Sequence, residues 1–212
     1  MTSRMRELAS EIVRLQTELD REIERRRREL GWSIKGRLVR FEEGIVAQQR
    51  HFRIGVTDLV RRASLGTIMT APIIYSMIVP LALLDLWATI FQAICFRVYC
   101  IPKVRRADYI ALDRGRLAYL NWIEALNCVY CGYGNGVVAY AREISSRTEQ
   151  YWCPIKHAVR ITDPHQRYYD FLEYGDAEGY RVRLDGLRAA LREEAAESIS
   201  QNENADTGPS SP

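Results

Sequence analysis

The stretch TIMTAPIIYSMIVPLALLDLWATIFQAICF, residues 67 to 96, limits this chain more than any other part of it. It carries one charged residue, Asp85. An apolar run of eighteen or more residues reads as membrane-embedded. A straight helix over the whole run would be about 45 Å long, well over a hydrocarbon core of about 30 Å. Pro72 and Pro80 each remove a backbone donor. Both flanks are positive, with Arg53, Arg61 and Arg62 before and Arg97, Lys103, Arg105 and Arg106 after. Positive flanks favour the cytoplasmic side. Similar charge at both ends predicts a membrane-embedded hairpin over residues 67–101, with its turn near Val79 to Asp85. A single tilted span and a buried soluble hairpin are the alternatives. Asp85 would cost roughly 2.5–3.5 kcal/mol at the centre of a membrane helix. It reads as a turn residue reaching the far headgroups, or as a proton or ion ligand. Trp87, Tyr75 and Tyr99 suit interface depth.

Ahead of this run, residues 1–32 place Leu8, Ile12, Leu15, Leu19 and Ile23 close to a heptad stripe, with both signs of charge elsewhere. That pattern predicts a coiled-coil-like helix packed on a partner, on a second copy or on its own domain. Residues 33–66 stay basic, with Ile34, Leu38, Phe41, Ile45, Phe52, Ile54 and Val60 among Arg and Gln. They predict an amphipathic membrane-surface helix, or else a solvated core helix. Residues 102–198 predict a helical domain. One helix starts near Asp113, GYGNG breaks it, and a second runs from about Val137 to Glu149. Residues 199–212 are polar and rich in Pro and Ser, as disordered tails are. The fold class expected is mainly α.

The totals exclude some functions. Across 212 residues, 30 basic side chains face 27 acidic ones, a net charge of +3. That is too small for a nucleic-acid-binding face, so no nucleic acid is expected among the partners. The opening MTSRMRELASEIV is charged and amphipathic, unlike a secretory signal. The soluble parts are therefore expected to face a reducing cytoplasm. There a CxxC pair is more often a metal or redox site than a structural disulfide.

Cys128 and Cys131, in NCVYCGYGNG, have that spacing. Cys153 and His157 follow in YWCPIKHA, four residues apart, which on a helical turn puts them on one face. Three thiolates and one imidazole form a complete tetrahedral set, so one structural zinc ion is expected, with iron as the other candidate. An uninterrupted helix from Cys131 to Cys153 would hold the two halves about 30 Å apart. The site closes only if GYGNG runs outward by roughly 16 Å and about 18 Å of helix brings the chain back. Two alternatives stand beside zinc: a thiol pair at Cys128 and Cys131, and cysteines that simply pack. Cys95 and Cys100 read as packing residues or lipidation sites.

A closed four-ligand zinc site is structural, which points away from hydrolysis. No HExxH, GxSxG or Walker loop is present. His51 near Glu42 and Glu43, and His165 near Asp170 and Glu173, are the other catalytic candidates. Arg142, Glu143, Arg147 and Glu149 read as solvated charge. In DPHQRYY, Asp163 is expected to cap a helix with Pro164 at its first position.

The segments APIIYSMIVPLALLDLWATIFQAICF, IPKVRRADYIALDR, LAYLNWIEALNCVYCGYGNG and YAREISSRTEQYWCPIKHA together resemble a family of uncharacterised bacterial membrane-associated proteins. The resemblance covers about Phe41 to Tyr180 and carries no assigned activity. It implies a bacterial, membrane-associated protein. With the zinc site and the N-terminal stripe, the expectation is a membrane-anchored adaptor or accessory protein. Its partners would be the lipid bilayer and a protein, or a second copy, met through the N-terminal helix. The rival expectations are a membrane thiol-disulfide oxidoreductase using Cys128 and Cys131, and a lipid-modifying enzyme using Asp85, His51 or His165.

Overall fold

The computed structural model describes residues 3–29, 32–35, 38–41 and 43–206. They are mainly helical. The elements in order are α1 (Ser3–Glu29), β1 (Trp32–Lys35), β2 (Leu38–Phe41), α2 (Glu43–His51), α3 (Val56–Arg62), α4 (Leu65–Ser76) and α5 (Ile78–Phe91). A π-helical turn (Gln92–Phe96), α6 (Arg106–Tyr109), α7 (Trp122–Trp152) and α8 (Ala177–Asp206) follow, with short 3₁₀ turns at Arg114–Arg116 and Gln166–Asp170. The chain forms two compact units. One takes the described residues up to Pro72 together with Leu112–Gly132. The other takes Ile73–Ala111 and the described residues from Tyr133 onward.

In the first unit, α1 is a helix whose described apolar stripe stays exposed, from Leu8 through Ile12, Leu15 and Leu19 to Ile23. Ion pairs along its surface, such as Arg4–Glu7 at 2.8 Å and Arg14–Glu11 at 3.1 Å, add only a few tenths of a kcal/mol each, roughly. The helix expected from Ser33 is not formed there. β1 and β2 pair antiparallel instead, Trp32 opposite Phe41 and Lys35 opposite Leu38. WSIK and LVRF supply aromatic and branched residues of the kind strands favour. α7 begins with a capping box. Asn121 Oδ1 accepts from the Ile123 and Glu124 N–H groups at 3.0 Å each, while Glu124 Oε2 accepts from the Asn121 N–H at 2.9 Å.

The apolar run does not turn between Val79 and Asp85, because α5 is helical throughout that stretch. The interruption is a single residue, Met77, between α4 and α5. Pro80 accounts for its place. It has no N–H for the Ser76 carbonyl four residues back, and its ring crowds that carbonyl. The helix resumes at once, with the Leu81 N–H donating to the Met77 carbonyl at 3.2 Å.

α7 differs from expectation in the same way. It passes through GYGNG without a break. A Cβ on Gly136 would lie 2.8 Å from the Tyr109 carbonyl oxygen and 2.9 Å from Ile110 Cγ1, and one on Gly134 would lie 3.2 Å from Leu81 Cδ1. These glycines let neighbouring chain approach a helix, which is a different service from ending one. The core of the second unit forms around them, with Phe96, Ile101, Val104, Tyr140, Ile144 and Leu191 all buried. α8 continues to Asp206, into the segment expected to be disordered, where Gln201, Glu203 and Ala205 are good helix formers. Residues 207–212 of that expected tail lie outside the described residues.

Candidate functional site

The structure does not bring the four expected metal ligands together. Cys128 is half-buried and Cys131 exposed, both within α7. Cys153 is exposed just past its end. Cys128 and Cys131 belong to the first compact unit, Cys153 and His157 to the second. Among the described residues, no group of three or more His, Cys, Asp or Glu side chains is placed to hold a metal ion. Cys153 and His157 do not share a helical turn either. Ile155 forms a parallel bridge with Leu172, and the Leu172 N–H donates to the Pro154 carbonyl at 2.9 Å. The exposed His157 ring stacks on Tyr168, whose hydroxyl accepts from the His157 N–H at 2.8 Å. Cys128 and Cys131 also stand more than a turn inside α7, beyond the reach of the helix N-terminus that activates many redox thiols.

The best-defined polar arrangement is at Asp85, which the sequence offered as a turn residue or as a proton or ion ligand. Asp85 is 7% exposed. Its Oδ1 accepts from Arg106 Nε at 2.8 Å, and its Oδ2 accepts from Arg106 Nη2 at 2.6 Å and from the Tyr133 hydroxyl at 2.9 Å. This fork-to-carboxylate pairing is the strong form of ion pair. Hydrogen bonding to Asp85 holds the Arg106 guanidinium above its usual range. Burial, and then the bond to Asp85, push the Tyr133 phenol up. Two turns on, the Gln92 side chain grips one backbone unit from both sides. Its Oε1 accepts from the Val104 N–H at 2.9 Å, and its Nε2 donates to the Val104 carbonyl at 3.2 Å and also to the Tyr140 hydroxyl. Thr89 Oγ1 lies 3.3 Å from that same hydroxyl. Asp85, Thr89 and Gln92 thus all turn to one side of an otherwise apolar helix, and each finds a partner.

A second polar cluster ties α7 to α8. Arg167 donates to both Glu194 carboxylate oxygens at 2.8 and 2.7 Å, to Gln150 Oε1 at 2.9 Å and to Glu143 Oε1 at 3.4 Å. Arg147 Nε also donates to Glu143, at 2.7 Å. Burial works against the Arg167 charge, but Glu194 and Glu143 more than offset it and hold its pKa above the usual value. Glu143 and Arg147, expected to be solvated, are therefore largely enclosed. Their i, i+4 spacing was the one signal of a pair. His165, not Asp163, caps the following turn, its Nδ1 accepting from the Tyr168 N–H at 3.1 Å. The proton of the neutral ring then belongs on Nε2, 2.8 Å from Glu149 Oε2. Asp163 takes a left-handed backbone, with φ 53°, and pairs with Arg142 at 3.1 Å. His51 lies exposed against the edge of Phe52. These arrangements hold parts of the fold in place. Asp85 spends both its oxygens, and His165 both its nitrogens, on structural hydrogen bonds.

The second unit therefore holds one face of an apolar helix through a row of polar contacts. The helix Leu65–Phe96 is long and apolar enough to cross a membrane. Compared with known proteins, the chain matches no family model, no curated protein and no solved structure.

Proposed function

We propose that this chain is a membrane-anchored adaptor of the bacterial cytoplasmic membrane, with its soluble parts in the cytoplasm and α1 as the arm that meets a protein partner. The observation that supports anchoring is the exposure of large apolar side chains along Leu65–Phe96, among them Leu65, Met69, Ile73 and Leu83. Water-soluble monomers rarely expose a contiguous apolar patch beyond a few hundred Å². The exposed stripe of α1 supports the arm. The Asp85–Arg106 and Gln92–Val104 contacts give the anchor a rigid attachment to its domain, as a scaffold needs. The proposal does not depend on a four-ligand zinc centre, since among the described residues no group of three or more potential ligands is gathered.

Alkaline carbonate extraction of membranes tests the anchor, and a version lacking residues 1–30 tests the arm. The full chain should stay in the pellet. The shortened chain should stay there too while losing its partner in pull-downs. Release of the full chain by carbonate would refute the anchor. Capture of the same partner by the shortened chain would refute the arm.

A further inference from the structure

We infer that the segment Asp85–Val98 lies in the plane of the membrane surface, seated on an anionic leaflet, instead of crossing the bilayer. The inference rests on the membrane reading above and assigns a depth and a lipid class to one part of it.

The argument comes from the two faces of this segment. At about 100° per residue, Asp85, Ala88, Gln92 and Phe96 fall on one side, and all four are buried. That side packs on Val104 and Tyr140 and holds every polar contact described above. On the opposite side, Leu86, Trp87, Ile90, Ile94 and Val98 gather within an arc of about 120° and are all exposed, Trp87 at 72%. The domain on the buried side carries charge close to the helix. The Arg106 side chain is 47% exposed, and Lys103, Arg105 and Asp108 lie at the surface. A crossing helix would drag these groups into hydrocarbon, where each is expensive. Laid in the interface, the same helix puts its apolar arc about 5–10 Å into the headgroup and acyl boundary and leaves the domain in water.

Charge identifies the leaflet. Arg97 falls at the edge of the apolar arc, where its long stem suits a snorkelling cation. Arg97 and Lys103 are exposed and have no acidic partner among the described residues, whereas Arg105 is spent on Asp108 at 3.8 Å. Cations next to an embedded apolar arc are what phosphatidylglycerol-type headgroups attract. The arc runs on along α5 through the exposed Val79 and Leu83.

The test reads the depth of Trp87. Full-length protein carrying Trp32→Phe, Trp122→Phe and Trp152→Phe is reconstituted into phosphatidylcholine vesicles with and without phosphatidylglycerol. The lipids carry bromine high or low on the acyl chain. The expected result is strongest quenching by the shallow bromines, increased by phosphatidylglycerol, with that increase lost in Arg97→Gln/Lys103→Gln. Strongest quenching by the deep bromines would place the helix across the bilayer and overturn the inference. Absence of quenching would overturn it by leaving the arc in water. An unchanged phosphatidylglycerol effect in the double variant would overturn the anionic contact. Should the triple variant misfold, the difference between wild type and Trp87→Phe supplies the same depth. Carbonate extraction of the same samples separates the two ideas. A retained protein with a deep Trp87 defeats the in-plane segment alone, and a released protein defeats the anchor.

Discussion

Removing Arg106 should reveal how strongly the domain grips its apolar helix. Arg106→Leu deletes two charge-assisted hydrogen bonds, at 2.8 and 2.6 Å, and leaves the Asp85 carboxylate with Tyr133 alone. Breaking a fully buried pair costs about 3–5 kcal/mol, and breaking an exposed one less than about 1. Here the carboxylate is buried and the guanidinium is half in solvent, so the cost should fall between, near 2 kcal/mol. For a chain of this size that corresponds to a fall in Tm of about 4–8 °C. Asp85→Leu should cost less, about 1 kcal/mol, because the stranded partner is the half-exposed Arg106, which water can solvate. The double variant should be more stable than Arg106→Leu alone, since no buried charge is left over. Thermal unfolding in one detergent, followed by circular dichroism for all four proteins, closes the cycle. If the double variant loses the full sum of the two single losses, the residues are not coupled and the pairing argued here is wrong.

Gly136→Ala should lower stability by about 1–3 kcal/mol through overpacking against Tyr109 and Ile110, outweighing the gain of roughly 1 kcal/mol in helix propensity. A higher Tm would show that α7 has room there. Elemental analysis of purified protein should find no zinc that depends on both Cys128 and His157. One zinc per chain, lost in both Cys128→Ser and His157→Ala, would require α7 to break at its glycines. The Tyr109 phenol is pushed up by burial and Tyr133 by burial and Asp85, so the fold favours their neutral forms. The stability they contribute is intact below the unfolded value near 10 and is lost as pH rises through the folded values. Tyr109→Phe should flatten the alkaline decline in a pH series of unfolding curves, and an unaltered decline would count against it.

What could be read from the chain depended on how local the cause was. The run from Thr67 to Phe96 is apolar by composition, so a long apolar helical stretch was legible there. Its shape was not, because the choice between a turn at Val79–Asp85 and a break at Met77 depends on the carbonyl that Pro80 disturbs. Asp85 illustrates a longer reach. Its partners are 21 and 48 positions away, and nothing near it announces them. The glycines of GYGNG misled in the opposite sense. They were read as ending a helix, and their role is set by Tyr109, Ile110 and Leu81 pressing against it. Glu143 and Arg147 had a visible spacing, but their burial comes from Arg167 and Glu194, contributed by later segments. The hairpin at 32–41 was missed because its apolar residues also fit a helical stripe.

The Gln92 grip on Val104 has a consequence for how the chain is made. Gln92 leaves the ribosome 12 residues before Val104 and 48 before Tyr140, and Asp85 leaves 48 before Tyr133. At roughly 5–20 residues per second, these polar groups wait about 2–10 s for their last partners. Until Val104 and Arg106 emerge, 12 and 21 residues after Gln92 and Asp85, the nascent segment is an apolar helix with an unsatisfied carboxylate and amide along one side. Hydrocarbon penalises both, and the watery edge of the bilayer solvates them. In the membrane-anchored protein proposed above, synthesis would then favour holding this half of the helix at the surface until the domain arrives to cover it.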